Sequence, residues 1–215
     1  MSSPWLRAAL LLPLILGACA APQVGTSDSG DFRPPAASTA NFGDCYARLD
    51  RLPIEYRRLP PRRTAEGCGF DDGVQLLDIG VPVPGLTAIS CPAAEALYHW
   101  IDEDVQAAAR ERIGSAVVRV QSYGTYACRA VNSRPGARLS QHAFGNAVDI
   151  AAFTFADGEV IRVESGWREG GATTAFLRDV HRAACRRFRT VIGPDGDRFH
   201  QDHFHMDMGP GPYCR

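Results

Sequence analysis

Six cysteines spread along residues 45–214 constrain the fold of this chain more than any other feature. A seventh, Cys19, lies in a separate N-terminal motif. The six show no CxxC spacing, which argues against a metal cluster, and their even number indicates three disulfides formed in an oxidising compartment. Buried free thiols are the alternative, and the sequence does not choose among the pairings. The six are Cys45, Cys68, Cys91, Cys128, Cys185 and Cys214.

The N-terminus has the pattern of an export signal. Arg7 precedes a short apolar run, residues 8–16, and the small residues Gly17 and Ala18 precede Cys19. The run is too short to span a bilayer, so residues 1–18 are interpreted as a signal peptide. Small residues directly before Cys19 resemble the bacterial lipobox, in which that cysteine becomes the lipidated first residue. An ordinary signal peptide with an incidental cysteine is the alternative. Ala20, rather than Asp, favours a periplasmic protein anchored to the outer membrane.

The next segment, residues 19–43, is rich in Ala, Pro, Ser, Thr and Gly and lacks apolar periodicity. It is predicted to be a lipidated N-terminus and flexible tether with a reach of roughly 25–30 Å. The folded domain is expected over residues 44–215. The net charge of -1 and the lack of a basic stripe exclude nucleic acid as an expected partner.

Helical and strand periodicities alternate along the predicted domain, after a turn-rich first stretch. This mixture predicts an α+β fold with a small antiparallel sheet. A helix is expected from a cap at Ser90 to a stop at Gly114. A second helix is predicted around residues 177–188. Strands are predicted at residues 116–120, 147–155, 159–163, 190–192 and 203–208.

One histidine cluster lies at the last predicted strand. Because alternate residues of a strand share a face, His203, His205 and Asp207 are expected to point the same way. Neutral imidazole ligates metals, and its pKa lies near neutrality, so such a cluster suits both metal binding and proton transfer. A solvated histidine-rich loop is the alternative for this segment alone. His200 is interpreted as a nearby or surface residue, and Asp207 as a group that orients a ligand histidine or caps the strand.

A second candidate segment contains His142 and Asp149. For both to reach one metal the chain must fold back between them, and Gly145 and Asn146 allow that turn. Asp149 alone could equally be a capping or salt-bridged residue. With His205 the two form a His₂-carboxylate set, the composition of a catalytic zinc centre with one open position. One zinc ion is expected, although other metals use the same ligands. Zinc lowers the pKa of its water, and His203 is placed to take the proton.

These two segments resemble the LAS zinc peptidase superfamily, which includes lysostaphin-type endopeptidases, D-Ala-D-Ala metallopeptidases and hedgehog domains. The shared pattern is S-x-H-x-x-G-x-A-x-D followed by H-x-H. The resemblance implies that His142, Asp149 and His205 bind zinc and that His203 is catalytic. More closely, nearly all of residues 44–215 resemble the bacterial extensin-like C-terminal domain family. That resemblance rests on residues 126–129, 140–150, 203–205 and 214–215.

Two further catalytic candidates follow from the superfamily resemblance. D-Ala-D-Ala dipeptidases carry a glutamate base three residues before the last ligand, where this chain has Asp202. Asp202 is therefore a rival to His203 as the base. In related metallopeptidases an arginine before the Ser-x-His segment stabilises charge on the scissile carbonyl, and Arg129 matches it by order. A surface ion pair is the alternative for Arg129.

The expected function is zinc-dependent hydrolysis of amide bonds in peptidoglycan peptides. The enzyme would act either as a D,D-endopeptidase on cross-links or as a D,D-carboxypeptidase on stems. Its partners would be wall peptides and, through the lipid anchor, the membrane. A non-catalytic wall-binding or scaffold lipoprotein is the alternative from another class. A processing protease for envelope proteins is a third reading.

Overall fold

The computed structural model describes Met1 and residues 40–215. The predicted signal peptide, the lipidation at Cys19 and the tether up to residue 39 lie outside the described residues. Among the described residues, no helix combines the length and apolar character that crossing a bilayer requires.

Helices and short strands alternate along the domain, as the α+β prediction requires. The α-helices are α1 (Ala40–Leu49), α2 (Cys91–His99), α3 (Gln106–Arg112), α4 (Val163–Gly166) and α5 (Gly171–Arg187). The strands are β1 (Glu55–Arg58), β2 (Arg62–Arg63), β3 (Gly69–Phe70), β4 (Gly73–Asp78), β5 (Ile89–Ser90), β6 (Val117–Gly124), β7 (Ala147–Phe155), β8 (Val160–Arg162), β9 (Thr190–Ile192), β10 (Phe204–Asp207) and β11 (Tyr213–Cys214). A π-helical segment joins α2 to α3, and two 3₁₀ turns precede β7.

The largest sheet is six-stranded and organised around β7. Its order is β11-β9-β10-β7-β6, and β8 pairs with the far half of β7. All of its pairings are antiparallel except that of β11 with β9. Smaller sheets of order β1-β4-β5 and β2-β3 come from the turn-rich first stretch.

The hydrophobic core lies between one face of the large sheet and the helices. Trp100, fully buried, donates its indole N–H to the carbonyl of Val180 on α5 at 2.9 Å. Its ring lies 6.0 Å from that of Phe153 on β7, which in turn lies 5.1 Å from Phe176 on α5. Val148 belongs to the same core. Because side chains alternate along a strand, Asp149 is left on the opposite face of β7.

One helix was not expected from the sequence, and another forms close to its predicted bounds. Helix α1 begins at Ala40, inside the segment predicted to be tether, and no helix was predicted there. The helix expected from Ser90 to Gly114 forms as the continuous run from α2 to α3. Ser90 is at its N-cap, but the Ser90 side chain makes no cap hydrogen bond. It donates instead to Asn146 Oδ1 at 3.0 Å, linking the helix start to the turn after His142.

Three disulfides form from the six cysteines, which confirms the prediction made from their even number. Cys45–Cys91 joins α1 to the start of α2, and Cys185–Cys214 joins α5 to β11. Cys68–Cys128 joins the loop before β3 to the segment that carries Arg129. Each bridge connects elements that are distant in sequence, so together they restrain the small sheets, the helices and the last strand.

Candidate metal centre

A short 3₁₀ turn at Gln141–Phe144 presents His142. Ser140 caps the turn, since its hydroxyl accepts the backbone N–H of His142 at 3.3 Å. Gly145 ends the turn with φ +63°, a left-handed conformation that glycine adopts without strain. The chain then enters β7 at Ala147. The fold-back predicted at Gly145 and Asn146 is therefore present and brings His142 over β7.

Asp149 and His205 face each other across the sheet. Strands β7 and β10 pair antiparallel in a register that places His205 opposite Asp149. Phe204 and Met206, the neighbours of His205 on β10, point into the core, so His205 lies on the same face as Asp149. Both side chains are nearly buried, at 8 % and 7 % exposure. Asp149 is thus a charged group inside the fold that needs partners.

The three predicted ligands converge on one point. His142 Nε2 lies 3.1 Å from Asp149 Oδ2 and 3.2 Å from His205 Nδ1. His205 Nδ1 lies 2.9 Å from Asp149 Oδ1. A tetrahedral ion with ligands at about 2.1 Å has ligand–ligand distances of about 3.4 Å. The side chains therefore fit one small metal ion with only slight adjustment.

The outer nitrogen of each histidine has its own partner. His142 Nδ1 donates to the backbone carbonyl of Thr125 at 2.5 Å. His205 Nε2 lies 2.9 Å from Asp207 Oδ2, so the predicted role of Asp207 in orienting a ligand histidine matches its position. Hydrogen bonds of this kind fix the tautomer and ring angle of metal-ligating histidines. The nitrogens that remain, Nε2 of His142 and Nδ1 of His205, both face Asp149 and would be the ligand atoms of a bound metal.

The electrostatics of the cluster favour a bound positive charge. Burial works against ionisation of Asp149, but hydrogen bonds from His142 and His205 hold its pKa well below the ordinary value. Burial also disfavours the imidazolium of His205, yet Asp149 and Asp207 raise its pKa to about 9. The imidazolium of His205 thus offsets part of the negative charge of the buried site. A divalent cation would supply the same compensation.

Both candidate bases lie beside the three predicted ligands and contact each other. His203 Nδ1 is 2.8 Å from Asp202 Oδ1. The opposite nitrogen, Nε2, is 3.6 Å from Asp149 Oδ1 and so faces the ligand cluster. His200, whose Nδ1 is bound to Asp197 Oδ1 at 2.7 Å, packs its ring 5.1 Å from His203. His203 is therefore the nearer of the two candidates to the metal position, with Asp202 behind it.

Arg129 approaches the cluster from another side. Its Nη2 lies 3.9 Å from Asp149 Oδ2, and its side chain is 37 % exposed. A pair at that distance is weak, so the guanidinium keeps donors for a ligand. The Cys68–Cys128 bridge fixes the residue directly before Arg129. All six predicted metal and catalytic residues are therefore brought to one region.

The match to a known family covers the whole of this region. A family model described as Extensin-like protein C-terminus matches residues 43–215. The chain belongs to the extensin-like family. Searches of curated proteins and of solved structures found no match. Every residue of the cluster lies within the matched part of this extensin-like chain.

A second group of potential ligands in the extensin-like domain has a different explanation. His181, Cys185 and Cys214 lie close enough together to share a metal. The two sulfurs are bonded to each other, so neither is available as a thiolate. His181 Nε2 donates to the backbone oxygen of Arg215 at 3.1 Å, and its ring packs against Trp167 and Phe204. This histidine is structural.

The sequence did not indicate several other residues near the site. Thr125 acts through a backbone carbonyl, which no side-chain pattern reveals. Tyr123, on β6, has its ring 5.6 Å from that of His203, and an exposed aromatic on a strand is too common to be a signal. Trp167, in the loop before α5, is buried and donates its indole N–H to Asp195 Oδ1 at 2.9 Å. It belongs to the core on the other side of β10.

Proposed function

We propose that this extensin-like protein is a zinc-dependent hydrolase of amide bonds in peptidoglycan peptides, of the D,D-endopeptidase or D,D-carboxypeptidase type. The observation that carries the proposal is the convergence of His142, Asp149 and His205, with both outer histidine nitrogens already bound. Three protein ligands leave a position for water, which is typical of catalytic rather than structural zinc sites. A purely structural ion would be expected to have four.

The motif pattern supports the same reaction class. The S-x-H-x-x-G-x-A-x-D and H-x-H segments resemble those of LAS metallopeptidases. The local geometry gives each motif residue a physical role: Ser140 caps the turn, Gly145 reverses the chain and Asp149 faces His205. We infer that the extensin-like family shares the zinc chemistry of that superfamily.

Three side chains have distinct roles in the proposed reaction. Zinc supplies Lewis acidity at such a centre and lowers the pKa of water towards neutrality. His203 Nε2 accepts the proton that the attacking water loses and returns it to the leaving amine. Asp202 binds His203 Nδ1 and thereby fixes the tautomer of the ring. Arg129 binds the carbonyl oxygen as negative charge develops on it.

The proposed location supports wall peptides as the substrate class. A lipid at Cys19 and a tether over residues 19–43 would hold the domain within roughly 25–30 Å of the membrane, where wall peptides are accessible. Three disulfides agree with an oxidising compartment such as the periplasm.

Metal content is the first test. The full-length protein, purified in detergent and offered zinc, is compared by elemental analysis with His205→Ala and with His99→Ala. His99 lies on α2, away from the cluster, and controls for loss of any histidine. About one zinc per chain is expected in the wild type and in His99→Ala, with little in His205→Ala. Equal metal in all three proteins would place the ion elsewhere.

Digestion of purified wall material then separates hydrolysis from binding. Zinc-loaded protein should release peptides with a new amine and a new carboxylate, and His205→Ala should release none. A protein that holds zinc, sediments with the wall material and cuts nothing would support the non-catalytic wall-binding alternative. Cleavage of unfolded proteins but not of wall peptides would support a processing protease.

A further inference from the structure

A groove of about 210 Å³ opens on the large sheet beside the candidate metal centre. Its floor is formed by Ala151 and Ala152 of β7. Strand β7 has a bulge at this point. Gln121 of β6 pairs with Ala152 and the next residue, Ser122, pairs with Ile150, so Ala151 between them has no partner. Two small side chains in a row, turned to one side by this bulge, create the space.

The groove is continuous with the catalytic candidates. Asp202 lines it and also binds His203 Nδ1. Tyr123 lines it and packs its ring against His203. A group lying in the groove would therefore be held directly next to His203. The volume corresponds to about seven waters at roughly 30 Å³ each, enough for one side chain with a charged end.

Two oppositely charged side chains that line the groove have no ion-pair partner among the described residues. Arg162, the last residue of β8, and Glu164, in α4, both line the groove and are both exposed. Neither takes part in a salt bridge or side-chain hydrogen bond within residues 44–215. What sets these two charges apart is that both line one groove beside His203. Unpaired charges of both signs facing one groove offer contacts to a ligand that carries both charges.

The charge pattern distinguishes among ligand classes. A guanidinium binds a carboxylate with two parallel hydrogen bonds, and a carboxylate binds an ammonium. A ligand with only an ammonium would leave Arg162 unused, while one with only a carboxylate would meet Glu164 and Asp202 as like charges. Burial and the neighbouring Asp202 raise the pKa of the Tyr123 hydroxyl, which therefore stays a neutral donor.

We propose that this groove is the subsite for a residue whose side chain ends in both an ammonium and a carboxylate, that is, a diamino-dicarboxylic acid within the wall peptide. The carboxylate pairs with Arg162 and the ammonium with Glu164, while Tyr123 and the two alanines enclose the methylene chain. The assignment rests on the proposed function for the orientation of the peptide towards His203, but the groove itself can be tested by binding alone.

The test uses four synthetic tetrapeptides that differ only at one residue, the one proposed to occupy the groove. That residue is a diamino-dicarboxylic acid, lysine, a longer homologue of glutamate with a single terminal carboxylate, or norleucine. Dissociation constants are measured by calorimetry on the zinc-loaded, full-length protein, in detergent and at low temperature to limit turnover. Arg162→Gln and Glu164→Gln are compared with Arg119→Gln and Glu169→Gln, which remove exposed charges that do not line the groove.

The expected pattern is charge-specific. The diamino-dicarboxylic peptide should bind about tenfold more tightly than the lysine and glutamate-homologue peptides, and the norleucine peptide should bind more weakly still. Arg162→Gln should weaken only the two carboxylate-bearing peptides, and Glu164→Gln only the two ammonium-bearing ones, each by about tenfold. The two control variants should leave all four dissociation constants unchanged.

Three outcomes would overturn the assignment. They are equal binding of the four peptides, equal effects of the groove and control variants, and binding of the free diamino acid as tight as that of its peptide. Selective binding without cleavage would uphold the subsite while contradicting the proposed hydrolysis. Cleavage with no preference at the varied residue would support the proposed hydrolysis and contradict the subsite.

Discussion

At the residue scale, the site has an inner set of potential ligands and an outer set of groups that form hydrogen bonds to them. Thr125 and Asp207 bind the outer nitrogens of His142 and His205, while Asp202 binds His203. Each histidine thus has one nitrogen committed to the protein and one directed at the centre. A group of merely surface histidines would not share this arrangement, since nothing would favour the same orientation in all three.

His203 is the residue whose role is most sharply testable. Its Nε2 is 3.6 Å from Asp149 but it is not needed to complete the three-ligand set. His203→Ala should therefore retain about one zinc per chain and lose turnover by roughly 10²–10⁴-fold. Asp202→Asn, which keeps a partner for Nδ1 but removes its charge, should lose less. Elemental analysis and digestion of wall peptides measure the two quantities on the same samples.

A larger loss of turnover in Asp202→Asn than in His203→Ala would change which residue is the base. If Asp202→Asn abolished turnover while His203→Ala kept it, Asp202 would be the base, as the D-Ala-D-Ala dipeptidases suggest. Loss of zinc from His203→Ala would instead make His203 a ligand and contradict the three-ligand set.

At the element scale, the site depends on the 3₁₀ turn that Gly145 ends and on the register between β7 and β10. The strand predicted at residues 147–155 is β7 itself, because a long apolar run leaves little ambiguity. The register that places His205 opposite Asp149 could not be predicted, since sequence spacing does not determine which strands pair. The bulge at Ala151 was equally inaccessible, because alanine fits a regular strand as well as a bulged one.

Gly145 tests the contribution of the turn. Gly145→Ala places a Cβ in a left-handed conformation and 3.3 Å from the ring of Phe70. We expect a loss of about 1–2 kcal/mol in the free energy of unfolding and a roughly tenfold weaker metal affinity, because His142 shifts with the turn. Urea denaturation and chelator competition measure the two effects.

Gly158→Ala is the matched control for that change. Gly158 also has a positive φ, but it lies in the hairpin between β7 and β8 with open space around its Cβ position. It should lose comparable stability and keep the wild-type metal affinity. Equal metal affinities in the two variants would mean that the turn does not position His142.

Helix α5 carries a pH-sensitive contact through His181. Burial lowers the pKa of His181 below 6.5, its ordinary value, so the folded protein keeps this histidine neutral. As the pH falls below 6.5 the unfolded chain takes up a proton first, and the stability contributed by the neutral side chain is lost. The slope from one proton is at most about 1.4 kcal/mol per pH unit.

His181→Gln isolates this contribution, because the amide can still donate to the backbone oxygen of Arg215. The free energy of unfolding, measured in urea between pH 5 and pH 7.5, should depend less steeply on pH in the variant than in the wild type. Identical slopes would show that His181 does not account for the pH dependence. Measuring the difference between the two proteins removes the contributions of other histidines, which they share.

At the scale of the whole molecule, the sequence predicted that disulfides exist but not how they connect. An even number of scattered cysteines is a count, whereas a pairing depends on which segments fold side by side. The same limit applies to the metal centre. Motif spacing and family resemblance proposed the ligands, but the backbone carbonyl of Thr125 and the groove beside His203 exist only once distant strands have met.

The disulfides supply the last prediction. In the chain-entropy account, the Cys68–Cys128 and Cys185–Cys214 bridges span 60 and 29 residues and contribute roughly 4 kcal/mol each. That is a large share of a typical domain stability of about 5–15 kcal/mol. Replacing either pair with alanine should therefore lower the free energy of unfolding by about 2–4 kcal/mol, as measured in urea under oxidising conditions.

The two disulfide variants should differ in function despite similar losses of stability. Removing Cys68–Cys128 frees the segment that presents Arg129, so turnover should fall while zinc is retained, because the three predicted ligands lie on other segments. Removing Cys185–Cys214 loosens α5 and β11, which carry no ligand, and should leave turnover of the folded fraction unchanged. Equal turnover in both variants would show that the bridge beside Arg129 acts on stability alone. Loss of zinc from the Cys68–Cys128 variant would mean that this bridge also holds the turn of His142 in place.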